Sequence, residues 1–191
     1  MTRFILASGS PRRRQLLSEI IEDFECILPD EEKNISKVLF SYELIEDVAK
    51  SKVFSVFDKV KDDEAVIIGA DTVVVLGDEI LTKPKDENNA IKMLKKLSGK
   101  THFVVTSHVV KKGEKTFIKS VRSNVTFSNL SEKEIINYVK TKQPFDKAGA
   151  YGIQELPKNF VEKIDGDFNN IVGLSVITIT EMLRNIKNVK K

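Results

Sequence analysis

The sequence predicts an α/β fold in which helices flank a mixed β-sheet. In the first half of the chain, short apolar runs typical of strands alternate with stretches of helical periodicity, which indicates β-α-β units. Later, two long β runs, His102 to Val110 and Thr116 to Phe127, are joined through Lys112 to Lys115, which indicates an antiparallel hairpin. The length of 191 residues fits a single domain spanning residues 1–191, with room for two lobes.

The first elements are a buried strand, Phe4 to Ala7, then a tight turn and an amphipathic helix. Ser10 suits the N-cap of this helix. Pro11 suits its first position, because the N–H group that proline lacks would be unsatisfied there. The apolar pair Leu16 and Leu17 is repeated at Ile20 and Ile21, so the helix is expected to run through both pairs.

The turn before this helix has the composition of a phosphate-binding site. It combines backbone N–H groups at a helix start and the positive end of the helix dipole with the hydroxyls of Ser8 and Ser10. The guanidinium groups of Arg12 and Arg13 add donors suited to phosphate. Neither the Gly-x-Gly-x-x-Gly fingerprint nor the Walker pattern is present, which disfavours a doubly wound dinucleotide fold.

The remaining elements follow from periodicity and from residues that begin or end helices. A capping box, Ser131 three residues before Glu134, marks one helix start, and Ser98-Gly99 ends another helix. In order, the sequence predicts a strand at 24–28, a helix at about 41–57, a strand region buried on both faces at 65–76, a short strand at 80–81, a helix at 86–97, a strand at 160–164 and a closing helix at about 178–188.

Asp71 is the strongest single candidate for chemistry, because only this residue interrupts the apolar run from Ala65 to Leu76. An ionised carboxylate among Ile and Val residues is costly unless something pairs with it. A buried ion pair with a lysine, or a place at the exposed end of the strand, would explain Asp71 without a function. The functional interpretation places it at the end of a core strand, where it would act on a metal ion or a water molecule.

Two lysines are candidates for the same site. Lys52 falls beside the apolar face of the predicted helix at 41–57, which favours a place facing a cleft. Lys83 precedes Pro84, which holds the chain extended at that point. For each of them, an ordinary surface lysine is the alternative.

An acidic turn, Asp30, Glu31 and Glu32, follows the second predicted strand. Its carboxylates could supply an oxygen ligand to Mg²⁺ or Mn²⁺, which favour carboxylates, waters and phosphates together. A solvated acidic turn is the alternative.

The segment from Asp146 to Gln154 combines small residues with one aromatic residue and one amide. Such a segment lets the backbone approach a ligand closely, and the Gln154 amide could pair with the edge of a base. A plain turn is the alternative.

His102 and His108 lie in β runs without a second His or Cys nearby, so packed or surface histidines are expected.

Composition disfavours several classes of protein. The net charge of +3 is only mildly basic, and many lysines lie among acidic residues, so no nucleic-acid partner is expected. The basic tail of Arg184, Lys187, Lys190 and Lys191 is expected to be a solvated helix end. No apolar run approaches the length of a membrane span, and no signal peptide is recognisable. A reduced cytoplasm is the expected location, and a homodimer is plausible.

Taken together, these segments resemble the Maf family of nucleoside triphosphate pyrophosphatases along essentially the whole chain. One such motif alone is weak evidence for a family, whereas all of them in this order are highly specific for it. The motifs that carry the resemblance are Ser8 to Arg13, Gly69-Ala70-Asp71-Thr72-Val73, Leu81-Thr82-Lys83-Pro84, Met93-Leu94 with Leu97-Ser98-Gly99 and His102, Asp146 to Gln154, and Ile164-Asp165-Gly166-Asp167 with Gly173-Leu174.

The resemblance implies an inosine-triphosphatase-like fold, with an elongated, twisted sheet and two lobes around a nucleotide cleft. It implies hydrolysis of a nucleoside triphosphate between its α and β phosphates, with Mg²⁺ or Mn²⁺ as cofactor. Asp71 resembles the proton acceptor of the family and could alternatively bind the metal, for which Glu32 would be the second ligand. Lys83 would join Asp71 in catalysis by neutralising charge.

The same resemblance assigns the substrate contacts. Ser8, Ser10, Arg12 and Arg13 would hold the triphosphate, and Lys52 would neutralise its charge. Asp71-Thr72 and the ending Tyr151-Gly152-Ile153-Gln154 are similar to the branch that acts on dTTP and UTP. The positions linked to substrate choice are matched by Arg13, Thr72 and Gln154. Modified pyrimidine triphosphates are expected as further substrates, which would make the protein a house-cleaning enzyme.

Two residues depart from the family pattern. Lys33 stands where a glutamate of the acidic turn is usual, so that Glu32 or Glu31 must substitute or metal binding differs. Ser175 stands where proline is usual, and this change is expected to affect only the start of the last helix. The altered acidic turn leaves an alternative function open, that of a non-hydrolysing nucleotide-binding regulator of cell division and septum formation.

Overall fold

The structure, a computed structural model, describes residues 2–30, 35 and 38–188. The strands within these ranges are β1 (Phe4–Leu6), β2 (Glu25–Cys26), β3 (Val66–Leu76), β4 (Glu79–Leu81), β5 (Thr101–Lys112), β6 (Lys115–Phe127) and β7 (Val161–Asp165). The helices are α1 (Pro11–Ser18), α2 (Tyr42–Val60), α3 (Glu87–Leu97), α4 (Glu132–Lys140), α5 (Phe168–Val172) and α6 (Val176–Asn188), and two short 3-10 turns, Gln143–Asp146 and Ala148–Ala150, follow α4.

The strands form one mixed sheet in the order β2-β1-β3-β5-β6-β7, with β4 paired to β3. The pairs β1–β2 and β1–β3 are parallel, while β5 and β6 form the predicted antiparallel hairpin. The hairpin positions Thr101 to Lys112 against Lys115 to Thr126 in an unbroken register. The prediction of a mixed sheet is therefore confirmed.

Strand β3 has one fully paired edge and one interrupted edge. On one side, β5 pairs with it from Ile67 to Val75. On the other side, β1 pairs only with residues 66–68 and β4 only with residues 74–76. No strand of the described ranges pairs with residues 69–73 on that side, so the sheet opens beside Asp71. The prediction that Asp71 lies at the end of a strand was wrong. Asp71 lies in the middle of β3, at the level where the neighbouring strands β1 and β4 end.

Both faces of β3 are covered, as its nearly continuous apolar sequence predicts. Ile67 packs in one cluster with Val53 and other residues of α2. Ile68 packs on the opposite face with Leu17 of α1 and Ile179 of α6. Each fully buried aliphatic side chain of this kind contributes about 1.5–3 kcal/mol of hydrophobic stabilisation. The strand that carries Asp71 is therefore firmly held.

A third apolar cluster lies under α3 and α4 and includes the large buried rings of Phe127 and Phe160. Tyr151 belongs to this cluster, whereas Val172 belongs to the cluster of α1 and α6. Both residues line the same cleft. Residues of two apolar clusters thus meet at the cleft.

The sequence misplaced some element boundaries. Helix α1 ends at Ser18. Ile21 lies in the turn that follows, where its backbone N–H donates to Leu17 O at 3.0 Å and its side chain packs in the α1–α6 cluster. Burial of the second apolar pair therefore does not need a longer helix. Strand β2 has only two residues because it is an exposed edge strand paired to β1 alone. Helix α5 was not predicted. Within the described ranges, every helix is too short or too polar to cross a membrane.

Candidate active site

A cleft of about 820 Å³ lies at the open edge of β3. Its walls come from the turn before α1, from α2, from the chain after β4, and from residues 146–155. The predicted site residues that line it are Ser8, Ser10, Arg12, Arg13, Lys52, Asp71, Thr72, Lys83 and Gln154. The predicted metal ligand Glu32 lies outside the described residues, as do Glu31 and Lys33. The described chain thus brings its predicted site residues to one place.

The turn before α1 presents the predicted helix start to the cleft. Ser10 is the N-cap and accepts a hydrogen bond from the backbone N–H of Arg13 at 3.4 Å, and Pro11 occupies the first turn. The Ser10 backbone N–H in turn donates to Ser8 Oγ at 3.1 Å. The first turn of α1 holds no acidic residue, so nothing within the helix opposes its positive end. This end is suited to an anion.

Arg13 belongs to a chain of hydrogen bonds that runs into the protein. Its Nη2 donates to Thr72 Oγ1 at 3.1 Å, and its Nε donates to Gly173 O at 3.0 Å. Thr72 Oγ1 lies 3.0 Å from Thr106 Oγ1, which donates its only proton to Asn170 O at 2.8 Å. The Thr72 hydroxyl must therefore be the donor to Thr106. Arg13 and Thr72 are held in one fixed arrangement.

Arg12 has a different environment. Its Nη1 lies 3.4 Å from Asp146 Oδ2 across the cleft. The arginine side chain is 29% exposed and the aspartate side chain 65%, so solvent screens this pair. The long distance and the exposure leave Arg12 available to exchange Asp146 for another anion.

Lys52 and Asp71 form a buried ion pair, which was one of the alternatives for Asp71. Lys52 Nζ lies 2.6 Å from Asp71 Oδ1, and the two side chains are 6% and 12% exposed. Lys52 reaches the carboxylate from α2, where its side chain is buried. The lysine charge offsets the loss of hydration of the carboxylate. Because both residues line the cleft, the pair is also accessible to a ligand there.

Lys83 and Gln154 are exposed residues of the cleft lining. Lys83 follows β4, and its neighbour Thr82 accepts a hydrogen bond from Gly149 N–H at 3.2 Å. This bond connects the chain after β4 to the segment that ends in Gln154. The two residues thus sit on structures that are linked to each other.

Lys147 is a residue of this site that sequence reasoning missed. It is 7% exposed, and its Nζ lies 2.6 Å from Asp146 Oδ1 and 2.8 Å from Glu155 Oε2. Burial tends to raise the pKa of the Asp146 carboxyl, but the hydrogen bond and charge of Lys147, with Arg12, lower it below its usual value. The available signal was a lysine among alanines and glycines, which marks a cation placed in a closely packed segment.

Both histidines are packed residues, as expected from the sequence, and neither lines the cleft. Burial lowers the pKa of His102 to about 4, and its Nε2 lies 2.7 Å from the Tyr151 hydroxyl. Burial also lowers the pKa of His108 to about 4. His108 Nε2 accepts from the Ser175 N–H at 2.8 Å. The effect of Ser175 thus extends beyond the start of α6, because a proline there would have no N–H to donate.

The carboxylates of the described chain do not form a metal cluster by themselves. No group of three or more His, Cys, Asp or Glu residues with metal-binding geometry occurs in the described ranges. The carboxylates that line the cleft are Asp30, Asp71, Asp146 and Glu155. A site of one or two carboxylates nevertheless fits Mg²⁺ or Mn²⁺ when phosphate oxygens complete the coordination. The buried Asp71, close to the cationic turn, fits this description.

The fold is similar to that of the Ham1 protein of Staphylococcus aureus. The two chains superimpose with a TM-score of 0.56 at 16% identity, covering 97% of this chain and 100% of the other. The chain is therefore a mixed α/β protein with a Ham1-like fold and a cationic site at an open sheet edge. The predicted fold class is confirmed.

Residues 3–186 match the family model described as Maf-like protein, and the chain belongs to this family. A relative from Aquifex aeolicus (strain VF5), named dTTP/UTP pyrophosphatase, is 46% identical over 187 residues, which are 96% of this chain and 95% of the relative. A relative of the same name from Clostridium novyi (strain NT) is 45% identical over 175 residues, 90% and 91% of the two chains. The resemblance drawn from the motifs is confirmed.

Proposed function

We propose that this protein is a pyrophosphatase that hydrolyses dTTP and UTP to the monophosphate and pyrophosphate. One observation carries the proposal: a buried carboxylate, Asp71, lies in the same cleft as Arg12, Arg13, Lys52 and Lys83. A proton acceptor surrounded by cations is what the hydrolysis of a highly charged triphosphate requires. The names of the Aquifex and Clostridium relatives support the same activity. Modified pyrimidine triphosphates belong to the proposed substrate range.

The turn before α1 is the proposed triphosphate grip. Ser8 and Ser10 offer hydroxyls and the helix start offers backbone N–H groups, all on one wall of the cleft. Arg12 would exchange the Asp146 carboxylate for phosphate oxygens, since its present ion pair is long and exposed. Lys83, which lines the same cleft, would neutralise charge on the leaving pyrophosphate. These contacts would account for most of the rate by positioning and charge stabilisation.

Asp71 is the proposed proton acceptor. It would remove a proton from the water that attacks the α-phosphorus, while the bond from that phosphorus to the bridging oxygen breaks and pyrophosphate departs with the bonding electrons. Lys52 lies 2.6 Å from the carboxylate and would hold its orientation. The alternative role of Asp71, as a metal ligand, belongs to the same site.

The proposed cofactor is Mg²⁺ or Mn²⁺, held by Asp71 together with phosphate oxygens, with Glu32 as the proposed second ligand. When bound, the cation would neutralise phosphate charge and polarise the α-phosphoryl group. The residues described above would bind and orient the triphosphate, and Asp71 would receive the proton.

Nucleotide choice is assigned to Arg13, Thr72 and Gln154. The hydrogen bonds from Arg13 to Thr72 and onward to Thr106 fix the first two residues relative to β3 and β5. Gln154 is exposed in the cleft, where its amide offers both a donor and an acceptor. A uracil or thymine edge presents carbonyl acceptors and one N–H donor, which an amide can match.

The test is a pyrophosphate-release assay over canonical and modified nucleotides with Mg²⁺ or Mn²⁺. Wild-type protein should release pyrophosphate from dTTP and UTP, and Asp71→Asn should nearly abolish release while the protein stays folded. Asp78→Asn, which removes a carboxylate from the exposed turn between β3 and β4, serves as the matched control. Absence of pyrophosphate with every nucleotide would contradict the proposal.

The second candidate function, a nucleotide-binding regulator without turnover, is not favoured by the relatives. It predicts nucleotide binding without hydrolysis that persists unchanged in Asp71→Asn.

We further propose a single domain, a reduced cytoplasmic location and a homodimer. Light scattering coupled to gel filtration would test the homodimer.

A further inference from the structure

The segment that carries Gln154 is tied to the protein by Lys147, to which the proposed reaction gives no role. Lys147 Nζ donates to Gln143 O at 2.6 Å and to Asp146 Oδ1 at 2.6 Å, and it lies 2.8 Å from Glu155 Oε2. An ammonium group has three N–H donors, and these three acceptors use all of them. The Lys147 ammonium group therefore binds acceptors within the protein and has no N–H left to donate to a phosphate.

The stem of Lys147 packs against the same segment. A Cβ atom added to Gly152 would lie 2.6 Å from Lys147 Cε and 2.7 Å from its Cδ, so the stem occupies the space that a side chain at 152 would need. Lys147 thus contacts the chain before Gln154 through Gly152 and after it through Glu155. Contacts on both sides restrict the backbone between them.

Other bonds fix the start of the segment, and a backbone bond from Glu155 N–H to Gly152 O at 2.9 Å closes the turn that presents Gln154. The Tyr151 hydroxyl lies 2.7 Å from His102 Nε2, and Gly152 N–H donates to the Tyr138 hydroxyl at 3.3 Å. Beyond Gln154, the Glu155 side chain contributes its ion pair to Lys147. The ion pair thus adds a side-chain tie to the turn that presents the exposed Gln154 amide.

We propose that Lys147 is a positioning residue for nucleotide selection, with Glu155 as its counter-charge. The inference rests on the proposed function, because Gln154 is there assigned to the base. A hydrogen bond weakens steeply when donor and acceptor are misaligned, so a loosened segment would lose base recognition first. All three donors of Lys147 are committed to acceptors of the protein, so it supplies none to the reacting phosphates.

The test compares Lys147→Met with wild type in two measurements. The ratio of kcat/KM for dTTP over CTP should fall about tenfold, the effect of losing one well-made hydrogen bond, and most of the fall should be in KM for dTTP. Hydrogen exchange of peptides covering residues 148–156 should become faster in the nucleotide-free protein. Lys85→Met, which removes another lysine from the same lining, is the control and should leave the ratio unchanged.

A second variant covers the case in which Lys147→Met does not fold. Glu155→Ala removes only the tie beyond Gln154, because Gln143 O and Asp146 remain as acceptors, and it should lower the ratio in the same direction by less. Faster exchange with an unchanged ratio would overturn the inference by making Lys147 merely structural, and so would no change in either measurement. Wild-type protein that releases no pyrophosphate from any nucleotide would refute the proposed function and nucleotide selection with it.

Discussion

Lys52 Nζ lies 2.6 Å from Asp71 Oδ1 inside the cleft, so the residue proposed as proton acceptor is also half of a buried ion pair. The same carboxylate therefore has a part in the folded structure as well as in the proposed chemistry. These two contributions respond differently to substitution, because charge balance affects stability whereas proton transfer requires the carboxylate itself.

Lys52→Met should destabilise the protein by about 3 kcal/mol, because removing one partner leaves the other charge buried and unpaired. The double variant Lys52→Met/Asp71→Asn should recover part of this loss while remaining inactive, since it buries no charge but has no proton acceptor. Urea unfolding gives the stabilities and pyrophosphate release gives the activities. Simple additivity of the two single losses in the double variant would contradict the coupling.

Arg12→Ala and Arg13→Ala should affect kcat/KM in different ways. Among the residues that the structure describes, Arg12 pairs with an exposed carboxylate, so its loss should lower kcat/KM for dTTP, UTP and CTP by a similar factor. Arg13 donates to Thr72, so its loss should also change the ratios among the three nucleotides. Thr72→Val should change the ratios in the same way, and Thr72→Ser, which keeps the hydroxyl, should not. Equal losses on all three nucleotides in both arginine variants would count against this division.

Acid should destabilise the fold through its two buried histidines. Their folded-state pKa of about 4 lies below the value of 6.5 expected in the unfolded chain, so the unfolded state binds more protons between these values. Stability should therefore be complete above pH 6.5 and fall as the pH is lowered toward 4, by about 3 kcal/mol for each histidine. Urea midpoints measured across this range test the expectation. His108→Gln should be less stable at pH 7.5 but show a shallower decline; an unchanged slope would exclude His108 as a contributor.

Removing divalent cations with a chelator should stop pyrophosphate release but leave the Tm of the nucleotide-free protein within about 1 °C of its value, because a ligand bound weakly to the folded state adds little stability. The physical reason is that the described chain holds no cluster of three metal ligands. Thermal unfolding with and without chelator gives the comparison. A large drop in Tm would indicate a tightly held structural metal instead.

The sequence predicted features that depend on neighbouring residues. Ser10 and Pro11 marked the start of α1, and the periodicity of α2 placed Lys52 beside its apolar face. The position of Asp71 in mid-strand could not be predicted in this way, because it depends on where β1 and β4 stop pairing with β3.

Long-range contacts within the site were likewise beyond sequence reasoning. Arg13 donates to the carbonyl of Gly173, which is 160 positions away in the chain, and Thr72 is 59 positions away. The role of Lys147 follows from acceptors on both sides of it, which no periodicity relates. Local sequence patterns supplied most of the candidate residues and the resemblance to a family added their roles, but the geometry that connects them is seen only in the folded chain.

The interrupted edge of β3 also has a consequence for its main chain. Ile68 O accepts from Ala7 N–H on that edge, and the alternation of peptide groups along a strand then directs those of Ala70 and Thr72 to the same side. Among the described residues no strand pairs with them, and Thr72 lines the cleft, so its main-chain N–H and C=O are placed to bond a ligand there. This part of ligand recognition has no side chain to remove, and an alanine scan of the cleft would pass over it.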